Sequence, residues 1–170
     1  MTKTLVVYYS RTNHTHKIAE LIAQGVGANI ERILDAQSRE GFLGYMRSGR
    51  EAMLKRAGQI QPVKEDPFRY DLTILGSPVW SWSLSPPMRS YAITQTHRFK
   101  QVAFFCTEGG SGGPRLFREL QTICGKTPVA TLEVTEPELK SGDYASKVEE
   151  FVQQVSSVTA SAAPESEQPK

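Results

Sequence analysis

At 170 residues, with 39% hydrophobic and 22% charged content, the chain is long enough to build one domain around its own core. A net charge of +2 is too small to argue for a nucleic-acid partner, and two cysteines without C-x-x-C spacing suggest neither a disulfide scaffold nor a zinc site. No apolar run approaches the ~20 residues of a membrane-spanning helix, and the start MTKTLVVYYS lacks a signal-peptide cleavage pattern, so a cytoplasmic location is expected.

Residues 4–15, TLVVYYSRTNHT, read as a buried strand feeding a polar loop and a helix. Leu5, Val6, Val7, Tyr8 and Tyr9 form a continuous apolar and aromatic run, which suits a strand covered on both faces of a parallel sheet. The residues that follow carry hydroxyl, amide, guanidinium and imidazole groups at a helix start. Such a start has unpaired N–H groups and partial positive charge, so it favours an anion. The plainer alternative is an ordinary strand-to-helix turn with Thr or Asn as the cap.

A helix is predicted over 16–28, with Ile18, Leu21, Ile22 and Val26 in one apolar stripe. A second short strand is expected over 29–34. Residues 35–64 read as a basic helical excursion: from Arg39 to Lys64 there are six basic residues against two acidic ones, interrupted by glycines at 41, 44, 49 and 58. A solvated basic face is the simpler meaning; a docking surface for an acidic partner or a phosphate-bearing ligand is the sharper one.

The third strand is expected over 70–76, followed by a loop with two tryptophans, four serines and three prolines before a helix that opens at Pro86 and Pro87, with Ser85 as candidate N-cap. Its tryptophans could cap the core or form a flat wall for a planar ring. The fourth strand, 100–106, runs into a loop with four glycines in seven residues, TEGGSGG, whose backbone can approach a ligand closely. Glu108 is expected to be exposed there, and Cys106 to be a small buried hydrophobe at a strand end. A helix with the stripe Leu116, Phe117, Leu120, Ile123 and Cys124 follows, then a fifth strand over 129–134 and a last helix over 143–158. A disordered tail is expected over 157–170, where aromatic residues vanish. His14 and His16 lack a third partner nearby in sequence, so no metal site is expected.

Five strands alternating with helices are the pattern of a three-layer α/β fold with a parallel sheet. In these sheets ligands sit beyond the carboxyl ends of the strands, where the strand order reverses. The three polar loops follow the first, third and fourth strands. They carry hydroxyls and a helix start, two tryptophans, and a glycine-rich backbone.

On the motifs YYSRTNHT, GSPVWSW and FCTEGGSGG, each after the matching strand, the chain resembles the flavodoxin family of flavin mononucleotide (FMN) binding proteins over about residues 3–155. The resemblance implies a five-stranded parallel sheet of order 2-1-3-4-5 with helices on both faces, as one domain over 1–156. It implies FMN as cofactor, with Ser10, Arg11, Thr12, Asn13, His14 and Thr15 around the phosphate. It implies Pro78, Val79, Trp80, Ser81 and Trp82, with Thr107, Glu108, Gly109 and Gly110, around the ring. The family's phosphate loop usually has glycine where Asn13 stands, and asparagine tolerates left-handed backbone. Electron transfer or FMN-dependent oxidoreduction is the implied function, with no catalytic side chain required. The partners would be a redox protein, or NAD(P)H and a small quinone-like acceptor, with no nucleic acid and no membrane. The alternative is a flavodoxin-like binding or regulatory module without flavin, against which the two tryptophans count.

Overall fold

A computed structural model describes residues 2–36 and 59–161. The strands form where the apolar runs predict them: β1 (Thr4–Tyr9), β2 (Asn29–Ile33), β3 (Leu72–Trp80), β5 (Gln101–Glu108) and β6 (Thr131–Thr135), with a two-residue β4 (Ser83–Leu84) between β3 and β5. The parallel order is β2-β1-β3-β5-β6, and β4 turns back antiparallel onto β3. Setting β4 aside, this is the expected 2-1-3-4-5 order. The helices are α1 (His14–Val26), α2 (Pro86–Gln95), α3 (Gly113–Cys124), α4 (Glu136–Ser141) and α5 (Tyr144–Ser161).

The alternation of side chains along β1 explains the layering. Leu5, Val7 and Tyr9 point to the face covered by Met88 and Tyr91 of α2 and by Leu116 and Leu120 of α3. Val6 and Tyr8 point to the opposite face, against Ile18 and Ile22 of α1 and Val148, Phe151 and Val155 of α5. Every β1 residue is buried, so the strand reads as an unbroken apolar run and not as an alternating one.

Gly76 pairs with Phe105 across β3 and β5, and a Cβ at Gly76 would lie 2.0 Å from that ring. Phe105 is fully buried and has nowhere to retreat. Gly76→Ala is therefore expected to lower stability by about 1–3 kcal/mol through overpacking, read as a shifted urea midpoint. A midpoint unchanged from the parent would contradict this packing.

Besides the extra strand β4, four elements depart most from the sequence expectation. β3 runs on through Ser77, Pro78, Val79 and Trp80, which were expected to form a loop. Pro78 is tolerated because the pairing of β3 with β1 stops at Gly76, which leaves Pro78 paired on one side only, with Thr107. β5 likewise continues through Thr107 and Glu108. The short helix α4, not expected from sequence, is fixed by a capping box between Thr135 and Glu138. The last helix continues to Ser161, past the point at 157 where a tail was expected, and its end is tied back where Thr2 Oγ1 donates to the Thr159 carbonyl at 2.9 Å.

The core of the basic excursion, 37–58, and the end of the expected tail, 162–170, lie outside the described residues. The two ends of the excursion come together, since Asp35 and Ile60 form an antiparallel bridge. Among the described residues no helix is long and apolar enough to cross a membrane.

Candidate functional site

The carboxyl ends of β1, β3 and β5 face one cleft of about 170 Å3. It is lined by Arg11, Thr12, His14, Thr15, Pro78, Val79, Trp80, Thr107, Glu108 and Gly109, with Glu136 and Leu139 from α4. Ten of the fifteen residues singled out from sequence therefore come together here. Ser10, Asn13, Ser81, Trp82 and Gly110 do not line the cleft.

The first wall is the start of α1. Its N-cap, Asn13, holds φ 66° and ψ 1°, the left-handed geometry that asparagine tolerates better than most side chains. The first helical hydrogen bond runs from Lys17 N–H to the Asn13 carbonyl at 3.0 Å, so the N–H groups ahead of it have no partner within the helix. No acidic side chain occupies the first turn to neutralise the positive end of the helix. Ser10 is buried and its hydroxyl has no hydrogen-bond partner. A buried hydroxyl left unpaired costs free energy, which marks this loop as waiting for an acceptor. Arg32 braces the loop from behind, donating to the Ser10 carbonyl at 3.1 Å.

His14 and His16 go separate ways. His14 lines the cleft. The His16 ring stacks on Tyr8 and shares a 2.6 Å hydrogen bond with its hydroxyl, while its other nitrogen lies 3.3 Å from Glu20. Burial raises the pKa of Tyr8, which keeps this hydroxyl protonated. Among the described residues no group of three or more His, Cys, Asp or Glu is placed to hold a metal ion.

The second wall is the hairpin β3–β4. Trp80 and Ser83 pair across it, leaving Ser81 and Trp82 as its two turn residues, at φ 49° and 56°. Positive φ at both positions is the mark of a type I′ turn, usually filled by Asn and Gly. Serine and tryptophan hold it at a cost of about 1–2 kcal/mol each. Trp80 lines the cleft, with its ring meeting Tyr9 edge-on at 5.5 Å. Trp82, at the turn, is carried away from the cleft; it is 61% exposed and its Nε1 donates to Ser111 Oγ at 3.1 Å. One tryptophan, not two, thus forms the cleft wall. Gly112 makes this packing possible: at φ 121° it admits no ordinary side chain, and a Cβ would lie 2.7 Å from Val79.

The hairpin is anchored below by a buried ion pair. Arg89 of α2 meets Glu119 of α3, and both side chains are about nine-tenths buried or more. The other Glu119 oxygen accepts from Ser83 Oγ at 2.8 Å and from Leu84 N–H at 3.2 Å, while Arg89 donates to Ser83 Oγ at 3.1 Å and to the Leu84 carbonyl at 3.3 Å. Ser85 caps α2 by position, but its hydroxyl bonds to Ser77 Oγ at 2.8 Å and closes the base of the hairpin instead.

The third wall is the end of β5. Thr107 Oγ1 and Thr15 Oγ1 lie 2.7 Å apart, a buried bond that locks this strand to the first turn of α1. Gly109 and Gly110 face open space, with nothing within 4 Å of an added Cβ, so the protein's own packing does not require glycine there. Cys106 is fully buried, and burial pushes its thiol pKa up, so it stays an inert apolar filler.

Glu108 departs from the expectation of an exposed carboxylate: it is only 5% exposed. The cause is the two-residue extension of β5, which turns its side chain under α3, where Oε2 accepts from Gly113 N–H at 2.9 Å. Burial, and next the Glu133 carboxyl beside it, push its pKa up to about 7. A raised carboxyl pKa means that the folded chain binds a proton that the unfolded chain has released between the ordinary value of 4.5 and about 7. Stability contributed by this pair is therefore full at low pH within that window and falls as pH rises through about 7. Urea midpoints measured across the window should decline with pH in the parent and flatten in Glu108→Gln; equal slopes would contradict it.

Glu136, Leu139 and Glu133 were missed in the sequence. The signal for the first two was available in Thr135-Glu136-Pro137-Glu138, a capping-box spacing with proline in the first turn.

No protein-family model matches the chain, and no curated protein sequence does. Among solved structures, a flavoprotein of Lactobacillus acidophilus in complex with FMN is similar at a TM-score of 0.69 and 21% identity, over 83% of this chain and 98% of that one. A Bacteroides eggerthii structure is similar at 0.73 and 22%, over 94% and 99%. The two-electron reduced flavodoxin of Megasphaera elsdenii is similar at 0.57 and 17%, over 91% and 98%. Together with the observed strand order, these likenesses identify the architecture of this chain as the flavodoxin-like fold.

Proposed function

We propose that the cleft binds FMN and that the protein transfers electrons through it. Arg11, Thr12, His14, Thr15 and the start of α1 would hold the phosphate, with Ser10 supplying its unpaired hydroxyl from below. Trp80 would cover one face of the ring, and the backbone of Thr107 to Gly109 would meet its polar edge. FMN supplies the redox chemistry when bound; the chain binds it, orients it and excludes water. The observation that carries this reading is the orphaned Ser10 hydroxyl beside the unneutralised start of α1. An anion satisfies both. The complex of FMN with a structurally similar Lactobacillus acidophilus flavoprotein supports the choice of anion.

The finer reading is an oxidoreductase that exchanges electrons with a redox protein, or with NAD(P)H and a small quinone-like acceptor, in the cytoplasm. The test is an absorption spectrum of the purified protein with added FMN, followed by anaerobic NADPH. Retained flavin bands with quenched tryptophan fluorescence are expected. Bleaching by NADPH assigns the reductase role, and its absence assigns a protein-fed carrier. A flavin that stays free at high concentration overturns the FMN reading and leaves a binding module.

A further inference from the structure

The acid pair at the floor of the cleft has no part in holding a phosphate or covering a ring, and its geometry calls for an explanation of its own. Glu108 on β5 and Glu133 on β6 lie on the sheet face that α3 covers. In the strand register Glu133 sits opposite Cys106, two residues before Glu108, which makes the two glutamates diagonal neighbours on one face. Both converge on Gly113, at the start of α3. Its N–H donates to Glu108 Oε2 at 2.9 Å, and a Cβ built on it would lie 2.5 Å from Glu133 Oε2. The remaining Glu108 oxygen, Oε1, is buried and meets no donor. Two ionised carboxylates cannot hydrogen-bond to each other; a proton between them removes the repulsion and lets one carboxyl donate to the other.

Among the described residues no ion pair relieves the two carboxyls, and Lys147 acts on Glu108 only as the weakest of its influences. Lys147 of α5 donates to the Glu133 backbone carbonyl at 2.7 Å and to the Glu138 carboxylate at 2.9 Å, so its ammonium is already engaged. Arg115, two residues into α3, is exposed. Cys106 is buried beside the pair and neutral. Across the cleft the charged and titratable groups are Arg11 and His14 from the α1 side and Glu136 from α4.

We propose that Glu108 and Glu133 hold a single shared proton at the cleft floor, and that the pair takes up a proton from solvent when negative charge enters the cleft. Glu108 is the member that lines the cleft, so it is the one through which the charge is felt. Above neutrality both carboxyls are ionised. Electrons delivered into the cleft by an external reductant then raise the pair's proton affinity. One proton moves from water to a Glu108 oxygen, forming its O–H bond and cancelling one negative charge. Because that charge is that of the reduced FMN ring, the redox linkage rests on the FMN reading; the shared proton does not.

Two measurements separate these parts. Infrared spectra of the protein without flavin should show a protonated-carboxyl band above about pH 5.5, where ordinary carboxyls are ionised. That band should fade as pH rises through neutrality and be lost in both Glu108→Gln and Glu133→Gln. Its absence from the parent overturns the shared proton, and either variant suffices if the other does not fold. FMN-loaded protein is then reduced with dithionite at about pH 8 in weak buffer, and proton uptake is followed with an indicator dye. More protons per FMN reduced are expected in the parent than in Glu108→Gln. Equal uptake overturns the linkage while leaving the infrared result standing. A protein that takes up no FMN overturns the linkage and the FMN reading together, with the shared proton still judged by the infrared band.

Discussion

Glu119→Ala is expected to lower the unfolding free energy by about 3–5 kcal/mol. Truncation leaves the Arg89 guanidinium, 4% exposed, as a buried charge without a counter-ion, held only by Ser83 Oγ and the Leu84 carbonyl. The cost comes mainly from that stranded charge and not from the loss of attraction. Ser83 Oγ and Leu84 N–H lose their acceptor in the same stroke, and these are the bonds that hold β4 down. The hairpin should therefore loosen, and with it the position of Trp80. Glu119→Gln keeps an acceptor for Ser83 and Leu84 while removing the charge, so its loss should be smaller. Urea unfolding of both variants checks this; a loss below about 1 kcal/mol for alanine would mean that the pair is worth no more than a surface contact.

Thr12→Asp should weaken FMN binding by about 100-fold or more, which is about 2.7 kcal/mol or more. Thr12 is exposed and lines the cleft just ahead of the Asn13 cap. A carboxylate there repels a phosphate at short range. The same charge sits favourably at the positive end of α1, so folding stability should hold or rise slightly. Opposite signs for binding and stability distinguish an anion site from a general loss of structure. Parallel titrations of FMN and thermal melts read the two effects, and unaltered FMN affinity would remove the phosphate from this loop.

The sheet was legible because its central strands are buried on both faces. A parallel strand such as 5–9 has no polar alternation to blur its apolar run, and the turn chemistry that follows each run marks its carboxyl end. The cleft was legible for the same reason, since the loops at the carboxyl ends of the strands begin where the apolar runs stop. What the residues hid were the places where a strand outlasts its apolar run. Thr107 and Glu108 are polar, yet β6 continues to pair with them, so β5 continues too. Glu108 is consequently buried against Glu133, a contact between positions 25 apart that local pattern cannot show. The β3–β4 hairpin was hidden by its turn residues, because Ser81 and Trp82 stand where asparagine and glycine usually announce such a turn. Helix α4 is the exception: its capping box was readable in Thr135-Glu136-Pro137-Glu138, and no element was assigned there.

The central claim is that this cleft recognises FMN through its phosphate, and the direct measurement is tryptophan fluorescence titrated in parallel with FMN and riboflavin. The ring is common to both ligands and only the phosphate differs. Quenching by FMN at a concentration at least about 100-fold below that needed for riboflavin is the predicted result, because the start of α1 and the Ser10 hydroxyl then have their anion. Equal affinity for the two, or no quenching by either, would contradict it.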